Sequence, residues 1–121
     1  MQIGEVVRRS GIPRDTVRLY TRLGLLPAST RVAGSREYAE YPETTIQLLA
    51  DIRTTQSLGF TLAQIKVLGD DYARGSLDDE TQRVALTAKL AELRAMQTNL
   101  VATIELIERK LEDLGPGESA D

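Results

Sequence analysis

From Leu86 to Leu114, apolar residues recur in alternating steps of four and three: Leu86, Leu90, Leu93, Leu100, Ile104, Ile107, Leu111 and Leu114, with Gln97 in the one polar place. That spacing, kept over about four repeats, is the heptad pattern of a helix that packs a seam against another helix. Asp78, Asp79 and Glu80 stand at its start, where the helix dipole favours acid, and Gly115-Pro116-Gly117 stops it. At 1.5 Å per residue, a helix from about 79 to 113 is roughly 50 Å long, whereas a compact domain of about 70 residues is only about 28 Å across. Much of the seam therefore overhangs its own domain and needs a partner helix. Leu86, Leu90, Leu93, Gln97, Leu100, Ile104, Ile107 and Leu111 are the expected dimer interface, with Gln97 at an a position fixing register and oligomeric state. A helix folded back over its own core is the competing reading, and its length argues against it.

The opposite end of the chain carries a different pattern. Ile3 to Ile12 and Thr16 to Tyr20, followed by Leu23-Gly24-Leu25-Leu26-Pro27, read as two short helices joined by a Gly-containing turn, the outline of a helix-turn-helix. The first helix is expected from Gly4 or Glu5 to about Ser10-Gly11, with Ile3, Val6 and Val7 facing a core. The second opens with Pro13 in its first turn and ends at Gly24. Along it Arg14, Arg18 and Arg22 fall at i, i+4 and i+8 on one face, while Val17, Tyr20 and Leu23 turn to the other. Like charges four apart cost a helix about 0.2–0.5 kcal/mol per pair. The stripe therefore asks for phosphates or guanine edges; a solvated face that touches nothing is the rival account.

Overall charge, −3, speaks against nucleic acid until its distribution is read. Residues 1–36 hold seven arginines against Glu5 and Asp15, whereas residues 67–121 hold six basic against twelve acidic residues. A basic front and an acidic rear suit a protein that offers one end to a polyanion. With 121 residues, 41% apolar and 27% charged, there is room for one small core plus an extension. The chain has no Cys and no His, which removes thiol redox sensing, zinc clusters and imidazole bases. Neither a catalytic nor a metal site is expected, and no cofactor. No apolar run approaches a membrane span and no leader precedes the fold, so a cytoplasmic location without membrane contact is the default expectation.

Between the two ends, Ala28 to Tyr41 has the Gly34, Ser and Thr content of a short two-stranded ribbon. A third helix is expected from about Glu43 to Ser57, with Ile46, Leu49 and Ile52 on one face and Leu48 beside them; Leu58-Gly59-Phe60 breaks it. Thr61 and Gln64 have capping-box spacing and open a short fourth helix through Leu62, Ile65 and Leu68. Residues 69–75 read as a linker, and Tyr72 as packing the hinge rather than lining a small-molecule site. The expected organisation is a DNA-binding domain over 1–75, a dimerisation helix over 76–114 and a flexible tail over 115–121.

In this order the motifs Ile3-Gly4-Glu5, Gly11-Ile12, Thr16-Val17-Arg18-Leu19-Tyr20, Gly24-Leu25-Leu26-Pro27 and Leu58-Gly59-Phe60-Thr61-Leu62-x-x-Ile65 make the chain resemble the MerR-type transcriptional regulators. The resemblance implies a mainly α fold: a winged helix-turn-helix, a second helix pair, and a long C-terminal helix in an antiparallel coiled coil with its mate. It further implies a homodimer that binds an inverted repeat in promoter DNA and distorts it for RNA polymerase. Carried onto this chain, the resemblance marks Arg18, Tyr20, Arg31, Arg36, Tyr38 and Tyr41 as DNA-binding positions, and the helix that holds Arg18 adds Arg14, Thr16 and Arg22 to the expected DNA-binding set. Leu19 replaces the first of the family's two aromatics in the recognition helix.

Two wing registers are open: counting back from Leu58-Gly59-Phe60 favours the one closing on Tyr41, with a loop about two residues longer than usual, and the rival uses Arg36-Glu37-Tyr38. Metal and thiol sensors of the family carry cysteines at the start of the long helix and after it, and this chain has none; multidrug and cofactor sensors append a ligand domain after the coil, where only residues 115–121 follow. The expectation is a regulator with no assigned small-molecule effector. An architectural or recombination-accessory DNA-binding protein, or a coiled-coil interaction module without DNA binding, stand as alternatives. An enzyme is not expected, since nothing in the sequence resembles a nucleophile–base pair or a phosphate-cradling loop.

Overall fold

The computed structural model describes residues 1–117. Its elements run α1 (Ile3–Ser10), α2 (Arg14–Arg22), β1 (Ser29–Ala33), β2 (Arg36–Glu40), α3 (Thr45–Ser57), α4 (Leu62–Ala73) and α5 (Asp79–Asp113). The chain divides into two compact units, residues 1–78 and residues 79 onward.

In the first unit, α1 packs on α2 and α3, and α3 on α4. Val6, Ile12, Val17, Leu26, Leu49, Ile52 and Ile65 meet in its core, with Tyr20 and Tyr41 among them. Short helices such as these are marginal alone, and the shared apolar interior supplies most of their stability. The turn between α1 and α2 depends on Gly11, whose φ of 72° lets its N–H donate to the Val7 carbonyl at 2.9 Å. Pro13 stands just before α2 rather than inside it, and its carbonyl accepts the N–H of Val17 at 3.1 Å. At the other end of α2, Gly24 has φ 77° and donates to Thr21 O, while Leu25 donates to Tyr20 O. That pair of bonds is a Schellman motif, and it sends Leu25 and Leu26 into the core. Leu23, placed on the apolar face of this helix by its spacing, is instead 44% exposed, because the chain is already turning there.

On α3 the buried row is Thr45, Leu49 and Ile52, not Ile46, Leu49 and Ile52; Ile46 and Leu48 are half-buried. Steps of three lag the helical repeat by about 60° each time, so three residues spaced by three do not share a line, whereas a four-then-three spacing does. The capping box at Thr61 forms as its spacing requires: Thr61 Oγ1 accepts from the Gln64 N–H at 3.2 Å and Gln64 Oε1 from the Thr61 N–H at 2.9 Å.

Residues 69–73, read from sequence as linker, are helical and belong to α4. Gly69 does not end the helix because nothing forces it out of helical geometry. The stop comes at Gly75, with φ 71°, where Gly75 donates to Tyr72 O and Ser76 to Asp71 O. Lys66–Asp70 and Asp71–Arg74 ion pairs brace this last stretch. Tyr72 accordingly lies on the outer face of α4 and is 75% exposed, instead of packing a hinge.

The second unit is α5, 35 residues and about 50 Å of continuous helix. It ends where the heptad pattern does, at Gly115 with φ 74°. Of the expected tail, residues 118–121 lie outside the described residues.

Candidate nucleic-acid interface

The surface of interest is built on α2 and the β1–β2 ribbon. Helix α2 buries Val17 and Tyr20, and this anchoring turns the arginine row outward: Arg14, Arg18 and Arg22 are all exposed. Arg18 lies 3.7 Å from Asp15, a loose i,i+3 pair. Arg14, Arg22, Arg31 and Arg36 make no ion pair or side-chain hydrogen bond among the described residues. By contrast Arg9 is engaged: it donates to Glu43 Oε2 at 2.8 Å, tying α1 to the start of α3. That hydrogen bond and charge hold the Glu43 carboxyl below its ordinary pKa and raise that of Arg9.

The ribbon is antiparallel, pairing Ser29 with Glu40, Arg31 with Tyr38 and Ala33 with Arg36, so Gly34 and Ser35 form a two-residue loop. Gly34, with φ 67°, occupies the first loop position, where a type II′ turn needs a residue free of a Cβ penalty. All of β1 is exposed and β2 nearly so. A two-stranded ribbon without a covering layer is stabilised little by burial, so its free face is available to a ligand. Arg31 and Arg36 are carried on it, exposed.

The wing ends at Tyr41, directly after β2, and the turn between its strands is only Gly34 and Ser35, not the lengthened loop expected with that register. Tyr41 is 2% exposed, its N–H donates to Met1 O at 2.7 Å, and its hydroxyl lies 2.7 Å from Thr21 Oγ1. Thr21 donates its own proton to Val17 O, so Tyr41 is the donor in that pair. Tyr20 is 5% exposed and its hydroxyl donates to Gln56 Oε1 at 3.0 Å. These two tyrosines thus belong to the framework: one fixes the wing to the second turn of α2, the other fixes α2 to α3. Tyr38, opposite Arg31, and Thr16, between the arginines of α2, are half-buried. Thr21 was not singled out by the sequence, since nothing local marks a threonine that meets a tyrosine twenty positions on. Asp15, by contrast, has a local mark in its i,i+3 spacing to Arg18.

The described part of the chain contains no group of three or more His, Cys, Asp or Glu placed to hold a metal ion. Its helices include none long and apolar enough to cross a membrane.

An exposed arginine-bearing helix beside a ribbon that carries two exposed arginines is the arrangement of a winged helix-turn-helix. Residues 1–70 match the family model for the MerR HTH family regulatory protein, and residues 46–110 match that for MerR, DNA binding. The chain belongs to the MerR family. As a MerR-family member it is a DNA-binding transcriptional regulator and not an enzyme. It is 34% identical over 113 residues to the mercuric resistance operon regulatory protein of Bacillus cereus, an alignment covering 93% of this chain and 74% of that one. Identity to the HTH-type transcriptional regulator YfmP of Bacillus subtilis is 31% over 114 residues, 92% of this chain and 80% of the relative. Among solved structures, the transcription regulator PbrR691 of Ralstonia metallidurans in complex with lead(II) superposes with a TM-score of 0.78 at 31% identity, covering 100% of this chain and 90% of that one.

Proposed function

We propose that this MerR-family regulator acts as a homodimer on an inverted-repeat operator in promoter DNA, with α2 in the major groove and the β1–β2 wing beside it. The observation that carries this reading is the set of exposed, unpaired cations Arg14, Arg22, Arg31 and Arg36, joined by the loosely held Arg18. Five guanidinium groups on one small unit repel each other unless anions meet them, and a duplex offers one phosphate charge per roughly 1.7 Å. Arg18, central on α2, is assigned to base edges, and Arg36 to the backbone or minor groove. Tyr20 and Tyr41 serve by holding α2 and the wing in place.

The partner for α5 is a second copy of α5. Leu86, Leu90, Leu93, Leu100, Ile104, Ile107 and Leu111 remain between 40% and 61% exposed on the single chain. An isolated row of this length is the kind of surface a coiled coil removes from water. An antiparallel pairing sets two operator-binding units at a fixed distance. A duplex whose half-sites do not match must bend or untwist, at a cost of order 1–6 kcal/mol offset by phosphate contacts. RNA polymerase then meets promoter elements with altered relative phase.

Two relatives carry mercury or lead in their names. Those soft ions take thiolate ligands, and this chain has neither Cys nor His, so its residues do not fit such a metal. The proposed regulator therefore works without a thiolate metal centre in this chain.

The test is transcription in vitro, with the full chain and RNA polymerase, from templates whose promoter spacer is lengthened or shortened by one base pair. Activation of the overlong spacer together with repression of the normal one is the expected result. Equal repression at every length would leave simple occlusion in place of distortion.

A further inference from the structure

Asp15 is the one acidic residue of α2, and it points away from the protein: its side chain is 97% exposed, 3.7 Å from Arg18 on the same side of the helix. An anion on a face that meets phosphates weakens every contact around it, unless it meets a donor of its own. Phosphates and sugars of DNA offer a carboxylate no hydrogen-bond donor. In the major groove the donors are the amino groups of cytosine N4 and adenine N6. Adenine flanks N6 with acceptors on both sides, its own N7 and the O4 of the paired thymine, whereas cytosine N4 has the guanine O6 on one side only and C5–H on the other, which leaves room for the second carboxylate oxygen.

We infer that Asp15 is a specificity-determining residue, its carboxylate accepting a hydrogen bond from a cytosine amino group on the base pair next to the one whose guanine is taken by Arg18. The inference rests on the reading that α2 enters the major groove. The 3.7 Å pair orients the guanidinium and the carboxylate side by side, so one face of α2 presents a donor fork and an acceptor to adjacent base edges. A second role is open to Asp15, since acid in the first turn of a helix is favoured by the dipole. That role concerns folding alone and predicts no base preference.

Operators are selected from a randomised duplex pool with the full chain, and every single-base variant of the selected site is then titrated with wild type, Asp15→Ala and Asp15→Asn. Wild type is expected to prefer cytosine at one position by about fivefold or more. Asp15→Ala should lose that preference alone and keep the neighbouring guanine preference. Asp15→Asn should move the preference towards adenine, because an amide donates to N7 while accepting from N6. Thermal melting of each variant checks that it is folded. The inference is overturned if Asp15→Ala raises affinity for all variants by one common factor, which marks a bystander anion. It is also overturned if the guanine preference disappears with the cytosine preference, which marks Asp15 as a support for Arg18. Recovery of no operator by wild type would instead remove the DNA-binding reading, and the base contact with it.

Discussion

Arg18 and Arg36 differ in what surrounds them, and the difference predicts separable losses. Arg18 projects from the middle of a helix whose other face is locked by Val17 and Tyr20, whereas Arg36 starts a strand on an uncovered ribbon. An arginine on a firmly anchored helix can make a bidentate base contact worth about 1–3 kcal/mol of discrimination; one on the wing contributes mainly charge. Arg18→Ala should relax sequence preference in competition binding. Arg36→Ala should weaken all duplexes alike and lower the slope of log K against log salt by about one. Thr45 supplies a prediction of the opposite sign. Its side chain is fully buried at the start of α3, and among the described residues its Oγ1 has no hydrogen-bond partner. A buried hydroxyl without a partner costs about 1–3 kcal/mol, so Thr45→Val should raise the unfolding free energy by roughly 1 kcal/mol in urea titration. Neither the isolation of this hydroxyl nor the pairing of Thr21 with Tyr41 was legible in the sequence, because both are made by residues from separate elements.

The helices show where local signals suffice. Thr61 and Gln64 announced the start of α4 because a capping box is a contact between residues three apart. For the end of α4 the sequence offers two glycines, Gly69 and Gly75, and a glycine stops a helix only where the following residues can take up the Schellman bonds. Gly69 is an ordinary helical residue with open space where a Cβ would stand. Gly69→Ala should therefore stabilise the protein by about 0.5–1 kcal/mol, read as a higher midpoint in thermal melting. The tie between α1 and α3 is pH-dependent. Arg9 holds the Glu43 carboxyl below its usual range, so the native state favours the ionised form. The stabilisation is complete above the unfolded-state pKa, about 4.3, and disappears as pH falls through the lower native value. The melting-temperature gap between wild type and Glu43→Gln should thus be present at pH 6 and close on acidification towards pH 3.

Taken as a whole, the molecule has two parts along the chain: a unit of short helices and a ribbon whose first 36 residues are strongly basic, then one long helix with an exposed apolar seam. If that seam joins two copies, Leu93→Asp with Leu100→Asp should convert a dimer to a monomer in sedimentation equilibrium, and should cost operator affinity without altering the DNA-facing residues. A wild-type monomer at micromolar concentration would refute the pairing. What the sequence determined by itself is whatever repeats or caps within a few residues: the extent of α5, its heptad seam, the arginine row of α2 and the capping box. These follow from backbone periodicity and contacts three or four positions apart. What only the tertiary structure decided is which residues those elements enclose: Thr45 rather than Ile46 on the inner face of α3, Tyr41 set against Thr21, and Tyr20 bound to Gln56. Burial is fixed by how whole elements pack against each other, and packing joins residues twenty to forty positions apart for which the sequence carries no local mark.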